Sequence, residues 1–239
     1  MTPSKNDLKV KIFADGADIE TMISMSKLDY IKGLTTNPTL MRKSGVSDYK
    51  AFSLEVLSHI KTKPISFEVF SDHEEEMIRQ AKEIHSWAEN VYVKIPITTS
   101  KGQPTTKVIR ILVQNEVKVN VTAIMTVEQV KETCKVLSDK VPSYISVFAG
   151  RIADTGQDPI EIMCKSLELM HSNELSELIW ASPRELLNVF QADEIGCDII
   201  TATSDILKKL DLVGKDLEEY SLETVKMFKS DADKSGYRL

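Results

Sequence analysis

Short runs of apolar, β-branched residues alternate along the chain with longer stretches whose apolar positions recur at helical spacing. The runs predict strands over Val10–Asp15, Ile31–Thr35, Ile65–Phe70, Val91–Ile97, Lys118–Ile124, Tyr144–Gly150, Glu177–Ser182 and Ile199–Thr203. Between them the spacing predicts helices such as Glu74–Trp87, Thr126–Leu137, Pro159–His171 and Arg184–Ile195. Ser71-Asp72 is a cap pattern before the first of these, and Thr126 with Gln129 is a capping-box pattern before the second. Eight βα units without a Gly/Ser-rich linker predict an α/β protein, a single closed (β/α)8 TIM barrel over residues 1–239. The alternative is a doubly wound open sheet, which normally has fewer strands and a glycine loop for phosphate. Neither GxGxxG nor GxxxxGK[ST] occurs in the chain. Beyond the eighth unit lies a helical tail over 215–239, strongest from Ser221 to Asp233, which packs on the barrel or reaches a neighbouring subunit.

One polar residue breaks this pattern sharply. Lys94 sits inside the apolar run Val91-Tyr92-Val93-Lys94-Ile95-Pro96-Ile97. A strand apolar on both faces is buried in a parallel sheet, where an ammonium is costly unless paired or deprotonated. Burial lowers a lysine pKa, and a neutral amine attacks carbonyls. Lys94 therefore reads either as a Schiff-base nucleophile or as a salt-bridged or strand-end lysine.

Composition narrows the setting. The 239 residues are 42% hydrophobic and 28% charged, ordinary for a soluble globular chain. A net charge of −6 disfavours nucleic acid and anionic membranes as partners, yet leaves room for a local basic pocket that holds a phosphate. Cys134, Cys164 and Cys197 are widely spaced and odd in number, so they fit small thiols in a reducing cytoplasm better than a disulfide framework or a zinc site. His59, His73, His85 and His171 lack ligand spacing on a shared face, so no metal is expected. No apolar run is long enough to cross a membrane, and Met1–Asp7 is polar, without the apolar core of a signal peptide.

In a barrel the chemistry gathers at the C-terminal ends of the strands. In chain order those ends carry Asp15, Thr36 with Asn37, Glu68, Lys94, Thr122, Phe148 with Arg151, and Ser182 with Arg184. Each alone has an ordinary explanation: a turn at Asp15-Gly16, a helix start at Asn37-Pro38, a surface pair for Arg184, a core position for Phe148. Polar groups at seven successive strand ends converge on one mouth and favour an active site. Glu68 is placed to move protons for a carbinolamine on Lys94, through a water held by Thr122. Asp15 can deprotonate a substrate hydroxyl beside a breaking C–C bond, and Asn37 can bond sugar hydroxyls. Arg151, Arg184 and Ser182 form a patch suited to a phosphate.

These residues stand in Phe13-Ala14-Asp15, Thr35-Thr36-Asn37-Pro38-Thr39, Glu68-Val69, Val91-Tyr92-Val93-Lys94-Ile95-Pro96, Asn120-Val121-Thr122, Ser146-Val147-Phe148-Ala149-Gly150-Arg151-Ile152 and Ala181-Ser182-Pro183-Arg184. From about Lys11 to Leu210 the chain resembles the transaldolase family, in particular its short single-domain members, which include fructose-6-phosphate aldolases. The resemblance implies a Schiff base at Lys94, acid/base roles for Asp15 and Glu68, and a water-orienting role for Thr122. It further implies substrate contacts from Asn37, Thr36, Asn120, Phe148 and Ser146, and phosphate contacts from Arg151, Ser182 and Arg184. It implies no cofactor, sugar phosphates as substrates, a cytoplasmic setting and a homo-oligomer.

Family aldolases that cleave fructose 6-phosphate have glutamine at the position of Glu68 and tyrosine at that of Phe148. Transaldolases have glutamate and phenylalanine, as here. The expected reaction is therefore transfer of a dihydroxyacetone unit from a ketose phosphate to an aldose phosphate. Cleavage releasing free dihydroxyacetone is the alternative, and a barrel that binds sugar phosphate without turnover is a third. The chain departs from the family at Gly16-Ala17, at Pro183, at Trp180 and in the long loop Thr98–Lys107, all expected near the mouth.

Overall fold

The computed structural model describes residues 7–238; the polar residues up to Asn6 and the final Leu239 lie outside the described residues. Eight parallel strands form a closed barrel in sequence order. They are β1 (Lys11–Asp15), β2 (Ile31–Thr35), β3 (Ile65–Glu68), β4 (Val91–Pro96), β5 (Val119–Ile124), β6 (Ser143–Val147), β7 (Ser176–Trp180) and β8 (Ile199–Thr203). The helices are α1 (Ile19–Ser26), α2 (Pro38–Lys43), α3 (Tyr49–His59), α4 (Glu74–His85), α5 (Thr106–Gln114), α6 (Val127–Cys134), α7 (Ala149–Ala153), α8 (Ile160–Met170), α9 (Leu187–Glu194), α10 (Ser204–Leu207) and α11 (Leu217–Ser235). The expected closed barrel is thus found, and the open sheet is set aside.

Local chemistry explains the helices. In α5, Val108, Ile109, Leu112 and Val113 are buried, the i, i+1, i+4, i+5 stripe of a helix lying on a sheet. The capping box at Thr126 and Gln129 is formed in full at the start of α6. The cap pattern at Ser71-Asp72 works differently from its expected role. His73 is the N-cap of α4, and the Asp72 carboxylate instead accepts from the Ser100 amide and hydroxyl, tying the 98–107 loop to the β3–α4 connection.

Two apolar layers hold the barrel. Most of the core, including Ile31, Leu34, Ile65, Phe67, Val93 and Trp180, packs between sheet and helices. A smaller cluster of Phe13, Tyr144, Ile179, Ala181 and Ile199 fills the interior on the β1 and β6–β8 side. Gly33 makes room for it, since a Cβ there would lie 2.5 Å from the Phe13 ring. On the opposite side the interior is polar: the Asn120 amide donates to Ser66 Oγ at 3.0 Å, and Ser146 Oγ donates to Asn120 Oδ1 at 2.7 Å. That chain satisfies buried polar groups, and Ser146 at its end lines a cavity.

Candidate active site

The cavity opens at the C-terminal ends of the strands and has a volume of about 440 Å³, the size of a small-molecule pocket. Its lining includes Asp15, Asn37, Glu68, Lys94, Thr122, Ser146, Phe148, Arg151 and Ser182. Strand register explains why distant residues meet, since Lys94 lies directly beside Glu68 on β3 and Asn120 on β5.

Lys94 is 6% exposed. Its Nζ donates to the Thr36 carbonyl at 2.9 Å and lies 3.9 Å from Glu68 Oε2. The Asp15 carboxylate accepts from Thr35 Oγ1 at 2.8 Å and from the Asn37 amide at 3.4 Å. Thr35 and Thr201 share a hydroxyl contact of 2.5 Å. Because the Thr35 proton goes to Asp15, Thr201 is the donor in that pair. Burial pushes the Asp15 carboxyl above the ordinary carboxylate range, against the Lys94 charge and the bonds from Thr35 and Asn37. Burial also raises Glu68, with Lys94 opposing and Asp15 reinforcing the shift. A buried amine beside two carboxyls whose pKa burial raises is an arrangement suited to moving protons.

Backbone strain marks the same place. β5 is irregular between Val121 and Ile124, and Ala123 has a φ of 61°. A bulge of this kind re-aims a side chain, here at Thr122, whose Oγ1 is buried without a hydrogen-bond partner among the described residues. Ser182 also sits in the left-handed region, at a φ of 58°. Its carbonyl lies where a Cβ on Gly150 would be, 1.5 Å away, so only glycine lets α7 close against the end of β7. The Arg151 guanidinium lies 6.0 Å from the Phe148 ring centroid at this end of the cavity.

Three expected site residues lie elsewhere. Thr36 contributes its carbonyl rather than its side chain, and its hydroxyl donates to the Ser66 carbonyl at 3.0 Å. Asn120 is fully buried between Ser66 and Ser146. Arg184 is turned away from the lining and forms a two-pronged ion pair with Asp154. Trp180, expected near the mouth, is fully buried in the outer layer beside α9. Thr35 and Thr201 were not anticipated. The legible signal for Thr201 was a polar residue on the inward face of β8, two positions after inward Ile199.

The family model described as "Transaldolase/Fructose-6-phosphate aldolase" matches residues 12–239. The chain belongs to that family. It is 34% identical over 202 residues to a protein named "Probable transaldolase" from Methanococcus vannielii, covering 84% of this chain and 89% of the relative. A "Probable transaldolase" from Thermoanaerobacter sp. is 32% identical over 231 residues, covering 96% of this chain and all of that one. Among solved structures, KGPDC from Streptococcus mutans superposes with a TM-score of 0.57 at 10% identity, over 83% of this chain and 90% of that chain. A 2,3-dimethylmalate lyase superposes with a TM-score of 0.55 at 12% identity, over 98% and 86%. At such identities these structures speak for the barrel fold alone.

No group of three or more His, Cys, Asp or Glu among the described residues is arranged to hold a metal ion. Cys197 is buried, Cys134 and Cys164 are half-buried, and all three are free thiols. No described helix is long and apolar enough to cross a membrane.

Proposed function

We propose that this enzyme is a transaldolase that moves a dihydroxyacetone unit from a ketose phosphate to an aldose phosphate through a Schiff base on Lys94. The observation that carries this reading is the buried Lys94 amine in the cavity, 3.9 Å from the Glu68 carboxylate. The unprotonated amine attacks the ketose carbonyl. Glu68 then moves protons through a water held by Thr122, whose buried Oγ1 is free to bond it. Loss of water from the carbinolamine gives the iminium. Asp15 takes the proton from the hydroxyl beside the C–C bond as that bond breaks, and the electron pair enters the iminium to form an enamine. The first aldose leaves and the acceptor aldehyde takes its place. The same steps in reverse form the new bond and release the product.

Asn37 and Ser146 line the cavity where sugar hydroxyls would lie, and Thr36 and Asn120 hold the lysine and Ser146. Arg151 and Ser182 are the phosphate contacts, with Arg184 available once it leaves Asp154. Phe148 has no hydroxyl with which to protonate the enamine, which favours transfer over release of free dihydroxyacetone. The reaction calls for no cofactor, since an amine, two carboxyls and a water supply every proton and electron pair. A cytoplasmic homo-oligomer is part of this reading, supported by the free thiols and by the exposed apolar surface of α11.

The test combines borohydride trapping with turnover. With a ketose phosphate, borohydride should add a reduced dihydroxyacetone unit to Lys94 by intact mass and peptide mapping, and Lys94→Met should give no adduct. Free dihydroxyacetone should form slowly until an aldose phosphate is added. An adduct on another lysine overturns the Schiff-base assignment; full-rate release without an acceptor makes the enzyme an aldolase.

A further inference from the structure

The parallel ladder between β2 and β3 stops one peptide too early. Thr35 pairs with Ser66, and the Thr36 amide donates to the Ser66 carbonyl at 3.2 Å. In a continued parallel ladder the next two bonds would run from the Glu68 amide to the Thr36 carbonyl and from the amide of residue 38 to the Glu68 carbonyl. Neither forms. The Thr36 carbonyl is taken by Lys94 Nζ at 2.9 Å. Residue 38 is proline, which has no N–H.

Tyr49, the first residue of α3, fills both vacancies with one hydroxyl. Its Oη accepts from the Glu68 amide at 2.7 Å and donates to the Glu68 carbonyl at 3.0 Å. Its ring is held by Phe70, Phe67 and Trp87, with centroids 4.4, 6.3 and 6.1 Å away. Burial raises the pKa of its hydroxyl, so the group remains both donor and acceptor across the physiological range. The Glu68 carboxylate has no hydrogen bond of its own among the described residues, only the 3.9 Å approach to Lys94. Its place in the cavity therefore depends on the peptide that carries it.

We infer that Tyr49 is a positioning residue for the reaction: its hydroxyl replaces the two missing ladder bonds at Glu68 and so holds that carboxylate at proton-transfer distance while leaving the Thr36 carbonyl to Lys94. Tyr49 lies outside the cavity lining and acts on substrate only through Glu68. The inference rests on the proton-transfer role of Glu68 proposed above.

The experiment is a double-mutant cycle on kcat with Tyr49→Phe and Glu68→Gln. Tyr49→Phe keeps the packed ring and removes only the hydroxyl. It should lower kcat about 10- to 100-fold, the scale of a displaced reacting group, with the donor KM little changed. In the Glu68→Gln background the same change should lower kcat by less than about threefold, because the group it positions is already gone. Equal effects in both backgrounds, or no effect in the wild type, overturn the role of Tyr49 and leave the reading of Glu68 intact. If Glu68→Gln is itself as fast as the wild type, that reading falls and the inference falls with it. Amide exchange in the unmodified enzyme is an independent check that does not need a folded variant. The Glu68 amide should be strongly protected, and exchange at an open-chain rate overturns the inference.

Discussion

Asp15 shows at the scale of one residue how the site trades stability for chemistry. Burial holds the Asp15 and Glu68 carboxyls above the ordinary carboxylate range, so the folded protein binds these protons more tightly than the unfolded chain. The stability from that preference is fully present below the unfolded pKa, about 4, and is lost as pH rises through the raised folded values. Asp15→Asn carries no charge to bury and keeps an oxygen for the Thr35 hydroxyl. The variant should therefore gain in melting temperature over the wild type as pH rises from about 4 to 8, by about 2–4 °C for each kcal/mol. Its turnover should fall by about 10²–10⁴-fold if Asp15 transfers a proton. Melting curves across this range decide it, and a difference that stays constant or shrinks with pH contradicts the buried-charge account.

At the scale of elements, the Arg151 end of the cavity depends on how two connections clasp each other. The start of α7 closes on the carbonyl of Ser182 at Gly150, and Arg184 reaches back from the β7–α9 connection to Asp154. Arg151 on α7 faces the cavity, whereas Arg184 is held at the surface. Arg151→Ala should raise KM for phosphorylated donors about 10- to 100-fold, the value of a charge-assisted contact of roughly 1.5–3 kcal/mol, and spare unphosphorylated ones. Arg184→Ala should have a smaller effect on KM, since its partner is Asp154 and an exposed pair contributes only about 0–1 kcal/mol. Kinetics with matched phosphorylated and unphosphorylated donors separate the two arginines. An Arg184 effect as large as that of Arg151 would mean that Arg184 leaves Asp154 to bind the phosphate.

The whole molecule presents an element that one copy leaves uncovered. α11 is capped at Asp216 and stopped by Gly236 at a φ of 67°, yet none of its residues is buried. Leu217 is 80% exposed and Phe228 64%, with Leu222 and Val225 also in solvent. A helix that buries none of its residues gains none of the tertiary packing that most protein helices rely on, and its apolar residues stay in water. The expected outcome is an oligomer by light scattering, several times the mass of one chain. Replacing Leu222, Val225 and Phe228 together by serine should reduce that mass. A monomeric wild type contradicts the homo-oligomer reading.

Alternation of β-branched runs with helical spacing was enough to predict the number and order of the barrel strands, because each strand buries apolar residues against the helices and the helices between strands carry apolar stripes that cover them. The same pattern isolated Lys94, a charge in a run that burial forbids, and the strand ends that now line its cavity. Local pattern overran at the boundaries where a tertiary contact ends the ladder. β3 stops at Glu68, because Lys94 takes the Thr36 carbonyl and Pro38 has no N–H, so that the Tyr49 hydroxyl takes the Glu68 peptide and the Gln80 side chain the amides of Phe70 and Ser71. Tertiary structure alone decided the rest. Thr36 acts through a carbonyl, which any residue has, so its side chain gave no sign of it. Arg184 turns to Asp154, thirty positions away in the chain, and Trp180 turns outward because strand alternation puts Ile179 and Ala181 inside. Sequence names which groups are available; closure of the barrel decides which of them face one another.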